Sequence, residues 1–178
     1  KAFDSLGCKT SHIDFFKRTI NIEQHIEEQD IIFVGGGNTK SMLAVWREWS
    51  LDKILKNAYN NGTIMSGVSA GAICWFEKGI TDSWRDHQSI LPCLGFVNGI
   101  CCPHYDEEPE RIPFVKDILM NNKIDECIAI EGFCALHLIN DTPVYSVSFG
   151  KNNSAYSVTC KNNKTIQNEL KGVNKILI

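Results

Sequence analysis

Gly67-Val68-Ser69-Ala70-Gly71 is a G-x-S-x-G sequence between a short apolar run, Thr63-Ile64-Met65, expected as a strand, and the stretch Ala70 to Phe76, expected as the start of a buried helix. A serine hydroxyl is a poor nucleophile unless a base takes its proton and the backbone presents it. A sharp strand-to-helix turn does the presenting, and glycines on either side give the bend room. Three further pieces lie where strands should end. Gly35-Gly36-Gly37 follows Ile31-Ile32-Phe33-Val34, His104 follows Ile100-Cys101-Cys102-Pro103, and Glu131 follows Ile128-Ala129-Ile130. In open parallel sheets, ligands sit beyond the carboxyl ends of the strands. The glycine run is a tight turn or a set of N–H donors for an oxyanion, alongside the N–H of Ala70. It lacks the spacing of a dinucleotide or nucleoside-triphosphate cradle. His104, alone among five histidines at this rim, is the candidate base. Glu131 is either a turn carboxylate or the acid that orients the imidazole.

The elements that must position these groups alternate along the chain. Lys1 to Leu6 reads as a helix end, closed by Gly7 in the left-handed conformation. Cys8 to Phe16 is expected to contain a strand, and Asn21 to Gln29 a short helix or turn. Ile31 to Val34 is a continuous apolar run, expected of a strand buried on both faces. Helices are expected from the glycine turn to about Trp49, from Leu51 to Tyr59, and from Glu110 to Asn121, with Cys127 to Ile130 a further strand. From Ala135 onward strands are joined by turns such as Asn140-Asp141-Thr142-Pro143 and Lys161-Asn162-Asn163-Lys164, the pattern of hairpins at one sheet edge. The expectation is one α/β domain over residues 1–178, a mostly parallel doubly wound sheet with antiparallel hairpins near its C-terminus. The opening helix end has no start signal, so the natural protein is expected to carry at least one further strand upstream of Lys1.

Composition narrows the function. With 178 residues, 43% of them hydrophobic, the chain can fill one core. A net charge of −3 and a pI near 6.0, without a Lys/Arg stripe, give no reason to expect nucleic acid. No apolar run reaches bilayer length, so no membrane partner is expected. The eight cysteines lie mostly in apolar runs and form no C-x-x-C pair. They read as free thiols in a reducing cytoplasm, and neither a metal nor a cofactor is expected.

Chain order separates the hydrolase types. An α/β-hydrolase runs serine, acid, histidine, whereas here the order is Ser69, His104, Glu131. With Gly36-Gly37-Asn38-Thr39 upstream, Gly67-Val68-Ser69-Ala70-Gly71-Ala72, Pro103-His104-Tyr105 and Ile130-Glu131-Gly132, the chain resembles the peptidase E family of serine peptidases. These are cytoplasmic dipeptidases, with cyanophycinase a relative, on a fold like the class I glutamine amidotransferases. The resemblance implies Ser69 as nucleophile, His104 as base and Glu131 as acid, with Gly36 or Gly37 and Ala70 as oxyanion hole. It implies an acidic residue after the elbow helix, matched by Asp82, and a small peptide substrate, N-terminal Asp dipeptides among the candidates. Asn38 and Arg111 are the other expected substrate contacts. Arg111 has a fork that suits a carboxylate, or else is a solvated helix-start residue. A binding module that has lost its chemistry and an esterase with the same elbow are the alternatives. Oligomeric state is left open, a homodimer included.

Overall fold

The computed structural model describes residues 2–18, 20–84, 87–150, 152–170 and 172–173. The chain enters through one 3-10 turn, Asp4–Leu6, closed by Gly7 at φ 78° with its N–H on the Asp4 carbonyl. Residues 8–18 then run without regular structure, so the expected strand within Cys8 to Phe16 does not form. The run Lys9-Thr10-Ser11-His12 is polar throughout and breaks the alternation that a half-buried strand needs.

Asn21 caps helix α1 (Ile22–Glu27) by accepting from the Gln24 N–H. Strand β1 (Ile31–Val34) pairs in parallel with β2 (Ile64–Gly67), in the register Val34 to Gly67. Between them lie α2 (Thr39–Glu48) and α3 (Leu51–Asn60). Ile32, Val34 and Met65 pack on Leu43, Trp46 and Leu55 of these helices. The other face of β1 is not buried as expected: Ile31 is 54% and Phe33 48% exposed. Phe3 lies against Phe33, with ring centroids 5.0 Å apart. Among the described residues no helical layer covers that side.

After the elbow, α4 (Ala70–Ile73) lasts a single turn, so the helix expected over Ala70 to Phe76 stops short and Phe76 already lies in a strand. The chain then forms the antiparallel hairpin β3 (Phe76–Trp84) and β4 (His87–Pro92), which the apolar stretch Trp75-Phe76 did not reveal as strand. β3 pairs in parallel with β5 (Val97–Cys102), and β5 in parallel with β6 (Glu126–Ile130). Helix α5 (Arg111–Met120) connects the last two, with Val115, Ile118 and Leu119 packed on Ile100, Cys102 and Cys127.

The two late hairpins were legible. β7 (Cys134–Ile139) and β8 (Thr142–Ser148) turn at Asn140 and Asp141. β9 (Ala155–Lys161) and β10 (Lys164–Glu169) turn at Asn162 and Asn163. All four turn residues have positive φ, as two-residue hairpin turns require. The second hairpin extends the sheet in the order β10-β9-β6-β5-β3-β4. The first stands apart with the short strand β11 (Gly172–Val173). Within the six-stranded sheet the parallel pairs β3–β5 and β5–β6 lie at the centre and antiparallel ones at the flanks, while β1 and β2 pair as a two-stranded parallel sheet of their own.

Candidate active site

Three strands, β1, β2 and β5, deliver their carboxyl ends to one place, and each brings one functional piece. β2 ends at Gly67, and Ser69 follows in a strained conformation, φ 57° and ψ −118°. Three close approaches build this elbow. The Val68 N–H donates to the Val34 carbonyl at 3.0 Å. A Cβ on Gly71 would overlap that same carbonyl, and one on Gly67 would run into the Gly71 carbonyl. Both motif glycines are therefore required by backbone packing as well as by access. Gly36, from the turn after β1, lies so near that a Cβ there would sit 3.3 Å from Ser69 Cβ and 3.7 Å from Oγ. Among the described residues the N–H groups of Gly36, Gly37 and Ala70 donate to no loop or cap acceptor.

Opposite the elbow, His104 leaves β5 at φ 52° and its Nε2 lies 2.9 Å from Ser69 Oγ. Its Nδ1 lies 2.7 Å from Glu107 Oε2, three residues on. An ionised carboxylate only accepts, so Nδ1 carries the proton and Nε2 presents a lone pair to the serine O–H. The residues ordered by this arrangement are Ser69, His104 and Glu107.

The carboxylate beside His104 thus differs from the expected one. Cys102 pairs with Ala129, so the turn after β5 does lie beside Glu131 and Gly132. Glu131, however, prolongs the pairing of β6 with β9. Its N–H donates to the Ser154 carbonyl at 3.1 Å, and its Oε2 accepts from the Ser154 N–H at 2.8 Å. That bond directs its side chain to β9, away from the imidazole. Glu107 takes the vacated position because residue 132 is glycine: a Cβ there would overlap the Glu107 carboxyl. The signal for Glu107 was the run Asp106-Glu107-Glu108, which begins two residues after the histidine, where one of three carboxylates can fold back within a turn. The other two hold the turn itself. Asp106 accepts from the Gly132 N–H at 2.7 Å and from Asn153 Nδ2 at 3.2 Å. Glu108 accepts from Arg111 Nε at 2.7 Å.

The expected substrate contacts divide differently. Arg111 is neither a free carboxylate fork nor a solvated residue: it is 2% exposed. Nε bonds Glu108, Nη1 donates to the Ile80 carbonyl at 2.7 Å, and Nη2 lies 3.6 Å from Asp82. A buried guanidinium needs such partners, and they hold it within the fold. Asp82 is largely exposed at the end of that ion pair. Asn38 caps α2, accepting from the Ser41 N–H at 2.9 Å and donating to the Ser83 carbonyl at 3.0 Å. It ties the glycine turn to β3. Beneath the site, Tyr105 is buried next to His104 and accepts from Gln167 of β10 at 2.8 Å. Burial pushes its phenol up to about 12, so it stays neutral.

All eight cysteines are free thiols. Burial holds those of Cys74, Cys101 and Cys127 well above the ordinary thiol range and raises Cys102 to about 12. No thiolate nucleophile competes with Ser69 among these four. Among the described residues no cluster of three or more His, Cys, Asp or Glu could hold a metal. No described helix is long and apolar enough to cross a membrane.

An α/β fold with parallel central strands, a serine on a strained elbow and an imidazole on its oxygen define a hydrolase-type site. The chain belongs to peptidase family S51, whose sequence profile matches residues 1–144. It is 44% identical over 158 residues to the Bacillus subtilis protein named uncharacterized peptidase YgaJ, covering 88% of this chain and 68% of that one. It is 47% identical over 47 residues to peptidase E of Haemophilus influenzae, 26% of this chain and 22% of the relative. The fold matches the crystal structure of a candidate peptidase E protein from Listeria monocytogenes at a TM-score of 0.57. That match has 18% identity and covers 96% of this chain and 75% of the other.

Proposed function

We propose that the chain acts as a serine peptidase of the peptidase E type on short peptides, with Ser69 as nucleophile, His104 as general base and Glu107 as orienting carboxylate. The observation that carries this reading is the continuous relay from Ser69 Oγ through both ring nitrogens of His104 to Glu107 Oε2, at 2.9 and 2.7 Å. Oγ attacks the scissile carbonyl while Nε2 takes its proton. The carbonyl oxygen gains charge beside the N–H groups of Ala70 and of Gly36 or Gly37. Collapse expels the amine, which takes the proton back from Nε2. Water then repeats the sequence on the acyl-serine, and Glu107 stabilises the imidazolium each time. The free thiols support a reducing, cytoplasmic setting for this chemistry.

N-terminal Asp dipeptides are the first substrates to try. Their side-chain carboxylate has to be recognised by a group other than Arg111, which is buried and bonded to Glu108 and the Ile80 carbonyl. The test is a dipeptide panel, Asp-X against Ala-X, with Ser69→Ala as control. Turnover is expected to fall by about 10³-fold or more in the variant, with its melting temperature within a few degrees of the parent. Retained peptidase activity in Ser69→Ala would remove the assignment. Labelling of Ser69 by a fluorophosphonate without any peptide turnover would point to an esterase.

A further inference from the structure

The contact between β6 and β9 ends with Glu131 on Ser154, and the residues that flank that pair, Gly132 and Asn153, both bond to Asp106 in the turn after β5. The Gly132 N–H donates to Asp106 Oδ1 at 2.7 Å, and Asn153 Nδ2 donates to Asp106 Oδ2 at 3.2 Å. One carboxylate thus ties the chain leaving β6 and the chain entering β9 to the residue two places beyond His104. Asn153 is also seated on its other side, since a Cβ on Gly150 would overlap its Oδ1.

This clamp stands behind Glu107. The Glu107 side chain is 40% exposed, and among the described residues its carboxylate makes one hydrogen bond, Oε2 on His104 Nδ1. A half-exposed glutamate held at one point has other rotamers open to it in water, and side-chain entropy favours them. The Gly132 backbone closes that route, because it is packed so tightly on the Glu107 carboxyl that a Cβ there would overlap it. That wall does not support itself. The next residue, Phe133, sits at φ 53°, in the left-handed region that a bulky side chain occupies only where its surroundings impose it. The Phe149 N–H holds one side of the strained residue, donating to the Phe133 carbonyl at 2.7 Å, and Asp106 on the Gly132 N–H holds the other. Released from Asp106, the Gly132–Phe133 segment can relax and the wall behind Glu107 withdraws.

We propose that Asp106 and Asn153 are positioning residues for the reaction at Ser69: they hold Gly132 against Glu107 and so keep that carboxylate on His104 Nδ1. Both act through Glu107, for among the described residues neither bonds to His104 or Ser69. The inference rests on the reading of Glu107 as orienting carboxylate, and it extends the machinery to the connection between β8 and β9.

The experiment is a double-mutant cycle on the rate at which a fluorophosphonate labels Ser69, a readout of nucleophile activation that needs no peptide. Asn153→Ala, which changes no charge, should slow labelling by about tenfold, and Asp106→Ala by about 10–100-fold, the scale of an ångström-sized misplacement. In a Glu107→Gln background each should slow it by less than about twofold, because the group they position is already gone. A general weakening of the fold would instead add its full cost in either background. Where Asp106→Ala does not fold, as judged by circular dichroism, Asn153→Ala carries the cycle. The His104 Nδ1–H proton resonance gives a second reading and decides where Ser69 proves unreactive: it should be present in the parent and lost to solvent exchange in the alanine variants. Parental labelling in both alanine variants, full additivity with Glu107→Gln, or an unchanged resonance would overturn the inference alone. Labelling unaffected by Glu107→Gln, or no such resonance in the parent, would remove the reading of Glu107 and this inference with it.

Discussion

The two sides of the Ser69–His104 contact are held by different physics. On the serine side, position is set by backbone against backbone: Gly71 on the Val34 carbonyl, Gly67 on the Gly71 carbonyl, Val68 N–H on Val34. On the histidine side it is set by side-chain carboxylates, each with its own anchor: Asp106 on Gly132 and Asn153, Glu107 on His104, Glu108 on Arg111. The first arrangement tolerates almost no change at the glycines and is indifferent to pH. The second can be edited one carboxylate at a time, and each edit should report a separate role.

The sharpest test of that contrast sets Glu107 against Glu131. Glu107→Gln should lower kcat by roughly 10²–10⁴-fold, because the amide no longer secures the Nδ1–H tautomer or stabilises the imidazolium. Glu131→Gln should leave kcat within a few fold and act mainly on stability, through its bond to Ser154. Gly132→Ala should act in the same direction but less strongly, since its Cβ pushes the flexible Glu107 carboxyl aside with no charge changed. Full activity in Glu107→Gln together with loss in Glu131→Gln would reverse the assignment.

A smaller effect is expected at the turn's anchor. Arg111→Met removes a buried cation and leaves Glu108 and the Ile80 carbonyl without their donor. The cost should be on the order of 3–5 kcal/mol, measured by urea unfolding. Any activity lost should fall equally on Asp-X and Ala-X peptides. A KM increase confined to Asp-X would return Arg111 to the substrate pocket.

The smallest effect concerns alkaline stability. Cys102, raised to about 12 by burial, keeps its proton in the folded chain after the unfolded thiol has lost it. Between pH 9 and 12 the unfolded state therefore binds fewer protons, so stability is full below about 9 and falls as pH rises. Cys102→Val should flatten that slope in urea midpoints measured against pH. An unchanged slope would mean that other groups govern it.

The same contrast explains what could be read beforehand. The elbow was legible because its physics is written in glycines, and a glycine in sequence reports a backbone constraint directly. The late hairpins were legible for the matching reason, their Asn and Asp turn residues. The partner of His104 was not, because three adjacent carboxylates are equivalent on paper and only the register of β5 on β6 and β6 on β9 distributes them. Glu131 follows a strand in the expected way, but the extra hydrogen bond to Ser154 decides where it points. Trp75 and Phe76 show the limit of periodicity: a short apolar run fits a buried helix and a buried strand equally.

The elbow's close contacts also bear on how such a chain can change over generations. None of the three backbone approaches at Gly67, Val68 and Gly71 involves the Ser69 hydroxyl. A codon change at Gly67 or Gly71 damages the scaffold at once, whereas a change at residue 69 alters only what the scaffold holds out. The backbone around residue 69 is therefore under a stricter steric constraint than the side chain that it holds out.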